Sequence, residues 1–390
     1  MNVKKIFWVV TPILFLLTGC YNYRELTDLA IVSGISVSMV DGEYEVMVEV
    51  VNPKKQQDST GSDEPDFIIY KKKDSSMQEA FRRVIEESPK KLYGSHMNIL
   101  IIDESVANQN LPDILDFFAR DPEVRNEFYV LIGKSNDILS VTTPLENISS
   151  KNILDSLKAN NDYLGYTNLV TFHDLTHTYL NPYQELAIST VESVGNEEKG
   201  ENIKNLQDTE RHAASIITGI SIFKDNKLVG YLQEEDALSY NLVTGNAHNF
   251  LIHTNYDKDN YVICEVFREK TDIKADSKNK KITITISGSS SLVEETVPYD
   301  LEDVKAIKRI QKDLNQKIED MVSTSVLQTI SKYHTDVYGF HNAFYLKNPS
   351  FAKKFKQSWN DEVLPLINIE VKSNIKIIEK GNLNGGLYDE

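Results

Sequence analysis

Cysteine is scarce in this chain: Cys20 and Cys264 are the two in 390 residues. A disulfide-dense scaffold is therefore excluded, and a folded body must stand on packing alone. Positive charge is also in short supply, with 42 Lys and Arg against 58 Asp and Glu and a formal net charge of −16. A nucleic-acid binder shows the opposite sign, and the same deficit argues against a broad electrostatic footprint on anionic lipid. The sequence has no P-loop, no G-x-G-x-x-G, no G-x-S-x-G elbow and no paired-cysteine zinc spacing. Phosphate-cradling, dinucleotide and nucleophilic chemistry thus lack a seed. No apolar run reaches the roughly 20 residues of a membrane-spanning helix.

What the chain does have is a leader. Lys4 and Lys5 precede a mostly apolar stretch over residues 6–17, which ends in Leu17-Thr18-Gly19-Cys20. That is the shape of a removed targeting segment, with a basic start, a short apolar core and small residues at the cut. The last four residues resemble a bacterial lipoprotein box. In such a box the Cys20 thiol takes a diacylglyceryl group, cleavage leaves Cys20 as first residue, and its amine is open to a further acyl chain such as palmitate. Two acyl chains anchor firmly where one binds marginally. The expected mature protein is a lipoprotein with its body outside the membrane; secretion with an incidental cysteine is the other reading of the leader.

Along the chain, residues 31–40 and 43–50 alternate at period two around Asp41-Gly42, a strong hairpin signal. Residues 58–65 are polar and turn-rich and read as an exposed loop. Ser76-Met77-Gln78-Glu79 is a capping box opening a helix with Met77, Ala80, Phe81, Val84 and Ile85 on one face. Strands follow at 96–102 and 127–132, with a helix at 111–120 between them. This β-β-α-β-α-β order favours parallel pairing beside an antiparallel hairpin. Residues 192–212 are charged and almost free of apolar side chains, which reads as a linker. Beyond them come a hairpin around Lys224-Asp225-Asn226, strands at 250–254, 261–267 and 281–287, and a helix of about 30 residues from Asp300 with apolar positions every three or four. A short helix at 350–359 and a strand at 366–378 end the pattern. The fold class expected is α+β, multidomain, with mixed β-sheets and packed helices. Its parts are a signal peptide over 1–19, an N-terminal α/β domain over 20–148, a smaller subdomain over 149–191, the 192–212 linker and a C-terminal α+β domain over 213–390.

Candidate chemistry is thin. His173 and His177 have the i, i+4 spacing of two ligands on one helix face. They lack the glutamate of a zinc protease, and the threonines around them are poor helix formers. Cys264 sits in a strand-like run, where a free cysteine behaves as a small buried hydrophobe. Glu197-Glu198 and Glu234-Glu235-Asp236 read as solvated faces. No catalytic, metal or cofactor site is expected, and Cys20 is the single modified residue.

Tyr21-Asn22-Tyr23-Arg24-Glu25-Leu26, followed by Ala30, Val32 and Gly34, resembles the opening of the Ger(x)C lipoproteins, the C subunits of spore germinant receptors; Tyr21-Asn22 replaces that family's usual Trp-Asp pair. The likeness continues in order through His96, the helix end from Asp113 through Arg120-Asp121-Pro122-Glu123-Val124-Arg125, the segment Lys227 to Leu232 with Glu234-Glu235, and Trp359 followed by Val371 to Lys376 and Gly381. The resemblance implies a non-enzymatic, lipid-anchored subunit on the outer face of the spore inner membrane. It implies integral membrane subunits as partners and a role in nutrient-triggered germination. From the residues alone, Gly34 within a strand suggests a bulge or a close backbone approach, and Arg120, Asp121, Glu123 and Arg125 suggest a local ion network around Pro122. A substrate-binding lipoprotein of a membrane transporter is the alternative; it would show two doubly wound α/β lobes.

Overall fold

Asp41 and Gly42 both adopt positive φ, 55° and 83°, the backbone of a tight primed turn. They fold β1 (Leu29–Val40) against β2 (Glu43–Val51) in antiparallel register. The computed structural model describes residues 28–52, 65–109, 111–135, 137–142, 148–202, 205, 210–297, 299 and 301–379. Most of the expected 58–65 loop lies outside them.

β1 and β2 belong to a nine-stranded sheet. Its further strands are β3 (Phe67–Asp74), β4 (Lys91–Tyr93), β5 (Ile99–Asp103), β6 (Tyr129–Gly133), β7 (Ala187–Gly195), β8 (Ala213–Lys224) and β9 (Lys227–Leu232). The path is β3-β2-β1-β5-β6-β7-β8-β9, with β4 paired to the start of β1. β1, β5, β6 and β7 run parallel, and antiparallel hairpins extend both margins. β5 shows why the centre is parallel and buried. Leu100 and Ile102 face one core while Ile99 and Ile101 face another, all fully buried, as expected of a strand covered on both sides.

Helices cover both faces. On one, α1 (Met77–Arg83), α2 (Leu111–Arg120) and α4 (Phe172–Leu180) supply Met77, Ala80, Ile114, Phe118, Phe172 and Leu175. On the other, α3 (Ser149–Tyr163) supplies Ile153 and Leu157. The Ser76 side chain accepts from the Glu79 N–H, so α1 starts at the predicted cap.

A second sheet has the order β10-β11-β12-β13, built from β10 (Asn249–Asn255), β11 (Tyr261–Asp276), β12 (Lys281–Glu295) and β13 (Asn368–Glu379). The first three strands are antiparallel; β13 joins β12 in parallel. Across it lies α6 (Val304–Tyr333), whose Ile310, Leu314, Ile318, Val322 and Val326 are buried at helical spacing. Ile220 and Ile222 of β8, Leu232 of β9 and α5 (Glu234–Thr244) join this same core. The α+β class with mixed sheets and packed helices is as expected, and two doubly wound lobes are not what forms.

The division into parts differs from the expectation. Glu192–Gly195, placed in the linker, is the end of β7 and pairs with β8 residues 213–216. Buried Asn205 donates to the carbonyls of Thr142 and Ala213 and accepts from the His212 N–H at 2.8 Å. Low apolar content read as a free spacer because a strand end satisfied by backbone pairing needs few apolar side chains. The 149–191 subdomain likewise dissolves into the first sheet, since α3 and α4 cover it and β7 is one of its strands. The part expected to begin at 213 contributes β8 and β9 to that sheet before entering the second.

Candidate functional site

Gly34 sits at a register irregularity between β1 and β2. A Cβ there would stand 2.7 Å from the Ser150 Cβ, closer than packed atoms tolerate, so the predicted bulge and close approach are both real. Beside it, fully buried Glu49 receives the Ser33 hydroxyl on Oε2 at 2.7 Å and the Ser150 backbone N–H on both oxygens at 3.2 Å. Ser150 lies in the first turn of α3, where free N–H groups favour an acceptor. Burial raises the Glu49 pKa against these hydrogen bonds. The arrangement locks α3 onto the β1–β2 hairpin.

Next to the start of β1 lies an open groove of about 1050 Å³ between α1, α2 and the end of α4. Phe81, Phe117, Ile85 and Leu180 line it, the last two 58% and 76% exposed. The ion network predicted around Pro122 forms with different partners. Arg120 turns back to Asp116 at 2.7 Å, Asp121 accepts from the Glu123 N–H at 2.9 Å, and Glu123 pairs with Lys91 of β4. Local spacing predicted pairing within the turn, but the i, i+4 carboxylate on α2 was the nearer partner for Arg120.

His173 and His177 both lie on α4 and both are exposed. The helix forms despite its threonines because Thr171 and Asp174 make a reciprocal capping box. No group of three or more His, Cys, Asp or Glu able to hold a metal is present among the described residues. Cys264 is buried, and desolvation pushes its thiol up to about 12, which leaves it inert at neutral pH. Glu234, Glu235 and Asp236 form the acidic first turn of α5. Cys20 and Arg24-Glu25-Leu26 lie outside the described residues. Among those that are described, no helix is long and apolar enough to cross a membrane.

A buried polar knot escaped the sequence reading. Asp336, just beyond α6, accepts from the backbone N–H groups of Phe340 and His341 at 2.9 and 2.6 Å and from Trp359 Nε1 at 2.9 Å. Phe340 and His341 open α7 (Phe340–Lys347). Desolvation lifts the Asp336 carboxyl to about 6 against those donors. The Trp359 indole stacks on the His341 ring with centroids 4.1 Å apart. Burial lowers the His341 pKa, and its Nε2 lies 3.0 Å from the Ala352 carbonyl oxygen. Thr335 donates to the Phe223 carbonyl at 2.7 Å and so ties the knot to β8. Trp359 belongs to the family resemblance, but no local pattern points to a partner 23 residues earlier.

Two family models match the chain in order. One, described as the spore germination protein N-terminal domain, covers residues 22–193. The other, described as spore germination B3/GerAC like, C-terminal, covers residues 218–381. The chain belongs to the GerAC-like family of spore germination proteins. Spore germination protein KC of Bacillus subtilis (strain 168) is 26% identical across 94% of this chain and 93% of its own. Spore germination protein B3 of the same strain is 24% identical across 98% of this chain and 100% of its own. The crystal structure of the GerBC protein superposes with a TM-score of 0.55 at 18% identity, covering 89% of this chain and 97% of that one, a likeness of fold. The two GerAC-like models part between residues 193 and 218, overlapping the segment read as a linker, although the hydrogen-bonded sheet continues across it. Neither model's description is that of an enzyme.

Proposed function

We propose that this protein is the lipid-anchored, non-catalytic subunit of a nutrient germinant receptor, required to start spore germination and docked on integral membrane subunits at the outer face of the spore inner membrane. The observation that carries this reading is similarity along nearly the whole chain to spore germination proteins, and the box ending in Cys20 supports the anchor. Residues 21–28, at ~3.5 Å each when extended, reach at most about 30 Å. A lipidated Cys20 therefore keeps the start of β1, with β4 and the groove beside it, near the bilayer. Arg24-Glu25-Leu26 would then lie closest to the integral partners.

The test is fractionation of sporulating cells that express the chain with and without the integral subunits. The wild-type protein should survive an alkaline membrane wash, and the integral subunits should co-purify with it from detergent. Cys20→Ala should be released or left unprocessed. Tight retention of a processed Cys20→Ala chain in cells lacking the partners would defeat the lipid-anchor reading.

A further inference from the structure

A single exposed apolar side chain is ordinary, but a cluster of them in a concave groove marks a surface that something covers. The groove between α1, α2 and the end of α4 is such a cluster. Phe81 and Phe117 meet edge to face at 6.0 Å and fix its shape where α1 meets α2. Ile85 and Leu180 stand open on it, and Leu180 is as exposed as any large apolar side chain among the described residues. The groove also lies where the described chain begins. Asp28 is the first described residue and is exposed, and the next, Leu29, pairs with Lys91 of β4, which lines the groove together with Leu92. Tyr21 to Thr27 are the seven residues between Cys20 and that point, and three of them, Tyr21, Tyr23 and Leu26, carry large apolar bodies. Extended, seven residues span about 25 Å at ~3.5 Å each, whereas the ten residues of α2 are about 15 Å long. The segment is long enough to run the length of the groove.

We propose that residues 21–27 fold back along this groove as a strap, with Tyr21, Tyr23 and Leu26 against its apolar walls and Glu25 beside Arg82. A groove has two walls, so it receives side chains from both sides of an extended segment. Charge narrows the choice of occupant. Asp113, Asp116, Asp121 and Glu123 line the groove, and its Lys91 and Arg120 are already paired with Glu123 and Asp116. Such a rim disfavours anionic lipid headgroups. Arg82 is exposed on the same rim and has no ion pair among the described residues, which suits a segment carrying one charge of each sign, Arg24 and Glu25. The strap is also joined to the chain at the edge of the groove, so its docking is intramolecular, at an effective concentration on the order of millimolar or above. A separate segment must exceed that to displace it. The inference rests on the groove and on where residue 28 lies, and it holds with or without an acyl chain on Cys20.

The experiment is maleimide labelling of the full chain carrying Ile85→Cys or Leu180→Cys in the groove, or Leu346→Cys, equally exposed but on α7, as the control. Each is made with the native segment and with Tyr23→Ser and Leu26→Ser, and mass spectrometry of the peptides locates the label. Labelling is run in membranes from cells with and without the integral subunits and after detergent extraction. With the native segment, Ile85→Cys and Leu180→Cys should label about tenfold more slowly than with the two serines, because only molecules with the strap out can react. Leu346→Cys should label equally in both. Equal rates in the groove with and without the serines would overturn the inference. So would protection that is lost on leaving the membrane, which assigns the groove to lipid, or protection that needs the integral subunits, which assigns it to them.

Discussion

Replacing Trp359 by Phe removes one donor from a buried carboxylate and leaves the other contacts of the knot in place. Above about pH 6 Asp336 is ionised, and a hydrogen bond to a charged group contributes roughly 1.5–3 kcal/mol. The smaller ring also leaves part of the indole volume empty, about 1 kcal/mol more. Trp359→Phe should therefore destabilise by about 3 kcal/mol at pH 8. At pH 5 Asp336 is largely protonated and the lost bond is worth about 1 kcal/mol, so the difference should shrink to about 2 kcal/mol. The sign follows from proton binding. The folded state of the wild type holds a proton on Asp336 between the ordinary 3.8 and about 6, so the Asp336 contribution to stability falls as pH rises through that window. Loss of a donor to the charged form lifts the folded pKa further and extends the decline upward. Urea midpoints and slopes from far-ultraviolet circular dichroism at pH 5 and pH 8 measure this. Equal destabilisation at both pH values would refute the electrostatic part of the reasoning, and less than about 1 kcal/mol at pH 8 would refute the role of the knot.

Gly34→Ala should destabilise by about 1–3 kcal/mol, because its Cβ meets the Ser150 Cβ on a helix fixed by Glu49. Adding Ser150→Gly should recover part of the loss, and urea unfolding of the single and double variants decides it. A protease nick between residues 203 and 209 should yield two fragments that stay together on a native gel and separate under denaturant, since β7 and β8 remain paired. Fragments that part without denaturant would mean that the sheet does not join them.

The architecture could be read wherever the signal was local. The Asp41-Gly42 and Asp225-Asn226 turns, the Ser76 cap and the apolar spacing of α6 each specify their element within a few residues, and each element formed there. β3 carries no clean alternation, because Phe67 to Tyr70 gives way to Lys71-Lys72-Lys73. In the sheet these lysines pair with Glu45, Asp137, Glu86 and Glu87. α5 escaped because its acidic start looked solvated, whereas residues 237–243 are buried throughout. The box ending in Cys20 is a contiguous motif, and it lies outside the described residues. The two buried carboxylate centres were not legible, because their partners are not local: 101 residues separate Glu49 from Ser150, and 23 separate Asp336 from Trp359. Pairings at that range are products of the fold and leave no periodic trace in the sequence.

β1 is an interior strand, flanked by β2 on one side and β5 on the other, and under the proposed anchoring at Cys20 it is the strand through which the tether would act. A pull on a tether at its N-terminal end acts along the strand axis. The hydrogen bonds to β2 and β5 are then loaded together in shear, whereas an edge strand pulled sideways would peel away one bond at a time. Tension from a moving membrane or a shifting neighbour would therefore enter the middle of the nine-stranded sheet and spread through it before any single ladder yields. The body would respond to such a load as one rigid plate.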